Sequence, residues 1–172
     1  VKTIVRFLRE RVPGFENAIL AGIAARVGVR ETRRIIGQYT LAEEDIVGNK
    51  RFADAIALGA GPMDLHDSKG TGVALWVPEV PFEIPLRCLL PESVQGLVVA
   101  GRAMSATRDA NGGSRHMGTA MCLGEAAGIY AALAARGEAR LEDPPVERLR
   151  AMLRERGALI CVEDALAAAE AE

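Results

Sequence analysis

Residues 96–135, GLVVAGRAMSATRDANGGSRHMGTAMCLGEAAGIYAALAA, constrain this chain more than any other stretch. An apolar strand is predicted over 97–100, stopping at Gly101. A loop rich in small polar residues follows, with Gly112, Gly113 and Ser114, and a helix is predicted over 119–135 with Met117 to Ala120 as its first turn. A loop that feeds a helix start offers free backbone N–H groups and the positive end of a dipole, which suits an anionic or electron-rich ligand. On the helix, Ala120, Gly124, Gly128 and Ala132 recur every four residues as one flat stripe. Glycine costs about 1 kcal/mol inside a helix, so two of them need a packing reason. The plain alternative is a tightly packed αβ unit with no ligand.

The 172 residues, 49% of them hydrophobic, suffice for one ordinary core. A formal charge of −2 gives no electrostatic case for nucleic acid or an anionic membrane. Arginines do cluster at 30–34 and 102–115, which keeps a small anion in view. Cys88, Cys122 and Cys161 are far apart and odd in number, so reduced core thiols are expected rather than a disulfide framework. Cytoplasmic location goes with that expectation. The longest apolar run, 126–135, is too short to cross a bilayer, so no membrane association is expected. The chain opens Val-Lys-Thr-Ile inside an amphipathic pattern, the beginning expected of a C-terminal portion of a longer polypeptide.

Upstream, apolar spacing predicts a helix over 2–11 stopped by Pro13-Gly14, and a second over 15–27. Residues 29–41 lean toward β, 41–47 form a short acidic helix, and 52–58 form a strand or turn. Between 59 and 85, Gly59, Gly61, Gly70 and Gly72 alternate with Pro62, Pro78, Pro81 and Pro85, so loops and short strands are expected. Residues 83–90 are expected to be extended. Pro144-Pro145 starts a last amphipathic helix over 146–156, with an Ala/Glu-rich helical end over 162–172.

Three further features bear on chemistry. The string ALGAGPMD around Gly59 and Gly61 imitates a dinucleotide fingerprint but has Asp64 at the third glycine position and Pro62 where a helix should start, so a turn is expected. In Arg30-Glu31-Thr32-Arg33-Arg34, strand alternation would put Arg30, Thr32 and Arg34 on one face and Glu31 and Arg33 on the other. Arginines fixed by a carboxylate can present a rigid fork to a substrate carboxylate or phosphate, although a solvated strand end with ion pairs shares the pattern. The two histidines, His66 and His116, are too far apart to make a metal site by spacing, and no metal is expected. Either could donate a proton, or simply sit in a loop.

Four strings in order, VRETRRIIGQYTLAEED, DAIALGAGPMDLHD, FEIPLRCLLPESVQGLVVAGRAMSAT and GSRHMGTAMCLGEAAGIYAALA, resemble the C-terminal half of the FAD-dependent oxidoreductase family. That family is grouped with the fumarate reductase and succinate dehydrogenase flavoprotein subunits. The resemblance covers residues 23–160. It implies an α/β fold: the C-terminal part of a doubly wound FAD-binding domain plus a substrate-side segment, without the N-terminal βαβ unit that holds the adenosine end. The expected organisation is a substrate-side segment over 1–85, the FAD-domain strand, loop and helix over 86–137, and a helical extension over 138–172.

The resemblance places Gly101 and Arg102 by the ribityl chain and Ser114, Arg115, His116, Met117, Gly118 and Thr119 by the flavin pyrimidine ring. Arg102 stands where relatives have an acidic residue, and Gly118 where proline is common. Arg30, Arg33, His66 and Arg115 are the expected catalytic or substrate-contacting residues. The implied activity is transfer of a hydride or electron pair between a small-molecule substrate and FAD. Its implied partner is the N-terminal dinucleotide-binding portion of the same protein, and a homo-oligomer is possible. One alternative is a non-catalytic α/β interaction module or accessory subunit that completes a partner's flavin site. Another, a small phosphate-binding enzyme using residues 112–114, lacks the lysine of a phosphate loop.

Overall fold

A computed structural model describes residues 1–66, 73–141 and 143–170. Gly70, Gly72 and the last two residues of the expected C-terminal helix lie outside those described residues. Helix α1, Lys2–Arg11, forms as its amphipathic spacing predicts, yet it buries none of its residues. The second predicted helix, over 15–27, is absent; that stretch holds turns and irregular backbone. Its apolar positions find no packing surface. Ile19 is 81% and Val27 88% exposed, and a short helix with no surface to pack against is marginal in water.

Residues 29–41 do not form the expected strand. They run as irregular chain threaded between two other segments, held by two isolated bridges, Gly37 with Pro91 and Leu41 with Ala106. Gly37 makes the close pass possible, since a Cβ there would stand 2.7 Å from the Ser105 Cβ. Helix α2, Glu43–Val47, follows as expected. Asp45 accepts the Ala42 amide (3.0 Å) and the Tyr39 hydroxyl, while Lys50 donates to both Asp45 and Tyr39.

Apart from isolated bridges, two antiparallel strand pairs make up the β-structure among the described residues. Strand β1, Ala55–Gly59, pairs with β4, Phe82–Pro85; strand β2, Met63–His66, pairs with β3, Val73–Trp76. Gly59 faces Phe82, and a Cβ there would fall 2.2 Å from the phenyl ring, so the pairing requires glycine. After β4 the expected extension stops early, in a 3-10 turn, Leu86–Cys88. The predicted strand over 97–100 finds no strand partner among the described residues; its one cross-link is the Val99 amide to the Leu89 carbonyl. The mixture of helices and short strands is that of an α/β chain, and no parallel pair of strands occurs among the described residues.

A 3-10 turn, Gly101–Ala103, leads to α3, Arg108–Ser114, and α4, Met117–Ala135. Residues 112–114 are therefore helical and buried, not an open loop. The Thr107 hydroxyl caps α3 by accepting the Ala110 amide, and Gly113 lets α3 lie on β2 with a Cβ position only 2.7 Å from Met63 Sδ. Helix α4 buries Leu123, Ala126, Ala127, Tyr130 and Leu133, and it packs on β1 and on α5, Val146–Glu155. Helix α6, Val162–Glu170, closes the chain with Val162 buried. The core runs from Leu41 to Ile160 in sequence.

The small-residue stripe of α4 is not its packed face. Gly124, Gly128 and Ala132 are exposed, and a Cβ on either glycine would meet nothing within 4 Å. At 19 residues α4 is long and apolar enough to cross a membrane by length and composition, which the 126–135 run alone did not suggest. Its inner face nevertheless belongs to the core, with Leu123, Ala126 and Tyr130 fully buried.

Candidate functional site

The site is built where the turn after residue 100, the α3–α4 corner and the segment at residue 30 converge. Gly101 takes φ +74°, a left-handed conformation that glycine adopts without strain, and this turns the chain into Gly101–Ala103. The turn is pinned from both sides. Asn111 Nδ2 donates to the Arg102 carbonyl at 3.2 Å, the Ile35 amide donates to the Ala103 carbonyl at 2.9 Å, and the Arg102 guanidinium donates to the Val29 carbonyl. Segment 29–35 is thereby held against the turn.

At the α3–α4 corner, Arg115 reaches back to β2. Its Nη2 donates to the Asp64 carbonyl at 3.0 Å and to Asp64 Oδ2 at 2.9 Å, and its side chain is only 6% exposed. The same Asp64 oxygen stands 3.6 Å from Arg30 Nη1. Asp64 thus joins two guanidinium groups from segments far apart in sequence. His116 Nε2 lies 2.9 Å from the Pro62 carbonyl. A carbonyl can only accept, so that nitrogen carries the proton and Nδ1 is the open ring nitrogen. Gly61 makes room for the ring, since a Cβ there would stand 2.1 Å from His116 Cδ2.

His116 occupies the N-cap of α4 but makes no side-chain cap, so the leading amides of a 19-residue helix have no side-chain acceptor. In front of them lies a hollow of about 560 Å³ lined by Arg30, Arg102, Arg115, His116, Met117 and Ala120. A second hollow of about 490 Å³ adjoins it, lined by Val29, Arg30, Glu31, Thr32, Arg33, Ala100, Arg102 and Ala103. Arg30 and Arg102 are common to both and form the wall between them. Among the described residues, three guanidinium groups and a helix N-terminus stand around the first hollow against one carboxylate, Asp64, which makes this side of it electropositive.

Of the expected residues, Arg30, Arg102, Arg115, His116 and Met117 come together around the first hollow, while Arg33 lines the second only. Gly101 shapes the turn behind them. Gly118 is exposed over open space, and Thr119 is buried toward the core. Ser114, at the end of α3, is buried with its hydroxyl unpaired, as is Asn111 Oδ1. His66 ends β2, and its side chain lies outside what the structure describes. The expected alternation over 30–34 fails because the segment is not a strand. Arg30, Glu31, Thr32 and Arg33 face one hollow, and Arg34 pairs with Glu31.

Sequence reasoning missed Asp64 and Gly61. Asp64 is 51 residues from Arg115, so only the fold of β2 against α3 reveals the pair. The thiols also divide differently from expectation: Cys88 and Cys161 are buried, but Cys122 is exposed on α4. Burial pushes the Cys88 thiol up to about 12. Among the described residues no three His, Cys, Asp or Glu side chains gather as a metal site.

The first hollow suits an anionic or electron-rich ligand. Its cationic lining and open helix amides would stabilise negative charge on such a ligand. The residues around Gly59 and Gly61, by contrast, form β1 and a turn and provide no helix start for a pyrophosphate. Residues 1–153 match the family model described as FAD dependent oxidoreductase. No curated protein and no solved structure matches the chain.

Proposed function

Because the chain belongs to the FAD-dependent oxidoreductase family, we propose that it supplies the flavin-ring end of an FAD site and one side of the substrate site beside it. The observation that carries this reading is the electropositive hollow at the start of α4. When bound there, FAD supplies two-electron chemistry, taking a hydride or electron pair from a small-molecule substrate or returning one to it. The open amides of Met117 and Gly118, with Arg102 and Arg115, would hold the electron-rich end of the cofactor and would stabilise negative charge on it. His116 Nδ1 is the ring atom free to hold or release a proton at the hollow's rim. Arg30, which approaches Asp64 at 3.6 Å, and Arg33 contact substrate.

The adenosine and pyrophosphate end requires a dinucleotide-binding portion, and the outward face of α4 supports a place for it. Met117 and Met121 are exposed there, and the glycines beside them have open space. The same face favours a second reading, in which this chain is an accessory subunit completing a partner's flavin site. Expression of the complete reading frame separates the two. The first reading expects a glycine fingerprint upstream and a yellow protein; the second expects a separate chain that brings the fingerprint in a stable complex. Stoichiometric flavin on the 172-residue chain by itself would overturn the half-site account.

A further inference from the structure

We infer that Asn111 is a positioning residue for the flavin end of the site: it holds the turn at residues 101–103 so that the Arg102 guanidinium stays in the wall of the first hollow. This rests on the reading above, in which Arg102 faces the cofactor. Asn111 is not among the residues that line either hollow and acts only through the turn.

The turn has little to fix it from within. It spans only Gly101–Ala103, it opens on a glycine at φ +74°, and Arg102 is exposed. A long side chain on such a turn carries its charge wherever the backbone goes. Asn111 stands on the opposite kind of element. Helix α3 is capped by Thr107, whose carbonyl accepts the Asn111 amide at 2.9 Å, and Gly113 lets the helix press on Met63 of β2. From that fixed base Asn111 Nδ2 donates to the Arg102 carbonyl at 3.2 Å, on the same residue whose guanidinium must be placed. The Asn111 carbonyl also accepts the Arg115 amide at 3.0 Å, so one buried residue meets the main chain of both arginines assigned to the cofactor.

The chemistry of the side chain speaks against a purely structural part. Asn111 is wholly buried, and its Oδ1 has no hydrogen-bond partner among the described residues. A buried acceptor left unpaired costs stability, and an apolar side chain of the same branched skeleton avoids that cost. Asparagine is also a poor helix former, because its amide competes for backbone partners. Leucine would serve packing better. What leucine cannot supply is the N–H donor to the Arg102 carbonyl.

The test compares Asn111→Leu and Asn111→Ala in the flavin-loaded full reading frame, each alone and combined with Arg102→Gln. Both should keep a cooperative thermal melt and should speed exchange of the Ile35 amide, which bonds the turn at Ala103. Asn111→Leu should shift the flavin redox equilibrium about tenfold toward the oxidised form, about 30 mV in the two-electron potential. In the Arg102→Gln background the same change should shift it less than about twofold, because the group to be positioned is gone. A shift in only one of Arg102→Gln and Asn111→Leu, a full tenfold shift added on top of Arg102→Gln, unchanged exchange at Ile35, or loss of the fold in both Asn111 variants overturns this inference and leaves the flavin reading standing. Flavin bound at a potential indifferent to Arg102→Gln and Asn111→Leu alike removes the flavin reading, and this inference with it.

Discussion

Removal of the Glu83 carboxylate should destabilise the fold more than any change at the surface. Glu83 is 2% exposed on β4, and its two oxygens accept the Phe52 amide at 2.8 Å and the Val162 amide at 3.2 Å. One side chain thus ties together the entry to β1, the strand β4 and the start of α6. Arg51 approaches at 3.8 Å from a side chain 40% exposed, so it adds little. Glu83→Ala leaves two buried N–H groups without acceptors, each costing about 1–3 kcal/mol, so the expected loss is about 2–6 kcal/mol. That is a large share of the roughly 5–15 kcal/mol that holds a domain folded. Glu83→Gln keeps one accepting oxygen and should lose about 1–3 kcal/mol. Urea unfolding followed by circular dichroism gives both values. A Glu83→Ala loss below about 0.5 kcal/mol, or a Glu83→Gln protein weaker than Glu83→Ala, refutes the reasoning.

Gly61→Ala should drive the His116 ring off the Pro62 carbonyl, moving the imidazole resonances and costing about 1 kcal/mol; an unmoved ring contradicts the packing described. Asp45 and Asp164 should weaken the fold in acid. Burial, the largest single influence on each, pushes their carboxyls up. The Ala42 amide with Lys50 and Tyr39, and the Ile160 amide with Arg154, outweigh it and hold them below their ordinary value. Since the folded values are the lower ones, this stability is present above the unfolded carboxylate range and is lost as pH falls through the folded values. Asp45→Asn and Asp164→Asn should each flatten that acid limb in unfolding measured against pH, and an unchanged slope would count against the assignment. Thiol labelling of the native chain should modify Cys122 first and Cys88 last; rapid labelling of Cys88 would show that its burial is wrong.

Local signals predicted elements well where the chain also supplies their packing. Helices α2, α4 and α5 follow from spacing and proline placement, and the glycine–proline punctuation over 59–85 fits short strands. Periodicity held at 2–11 and failed at 15–27, although neither stretch buries an apolar face, so the stripe alone did not decide which of them is helical. The strand expected over 97–100 has the right residues but no neighbour to pair with among the described residues. Glycines misled twice. Those at 112 and 113 lie inside a buried helix, where Gly113 serves close packing against Met63, while those at 124 and 128 lie on an open face. The arginines and the helix start of the site were legible from residue type. Asp64, which holds Arg115 and stands near Arg30, was not, because its partners are distant in sequence.

The central claim, that the start of α4 holds the redox end of FAD, is tested most directly by the flavin reduction potential of the complete protein. Arg115 and Arg102 are assigned to stabilise the reduced, negatively charged ring. Losing one charge-assisted hydrogen bond to it, worth about 1.5–3 kcal/mol, should lower the two-electron potential by about 30–65 mV in Arg115→Gln and Arg102→Gln. Arg115→Lys should fall between them and the unaltered protein. A potential that stays constant across all three variants, with flavin still bound, would contradict the account.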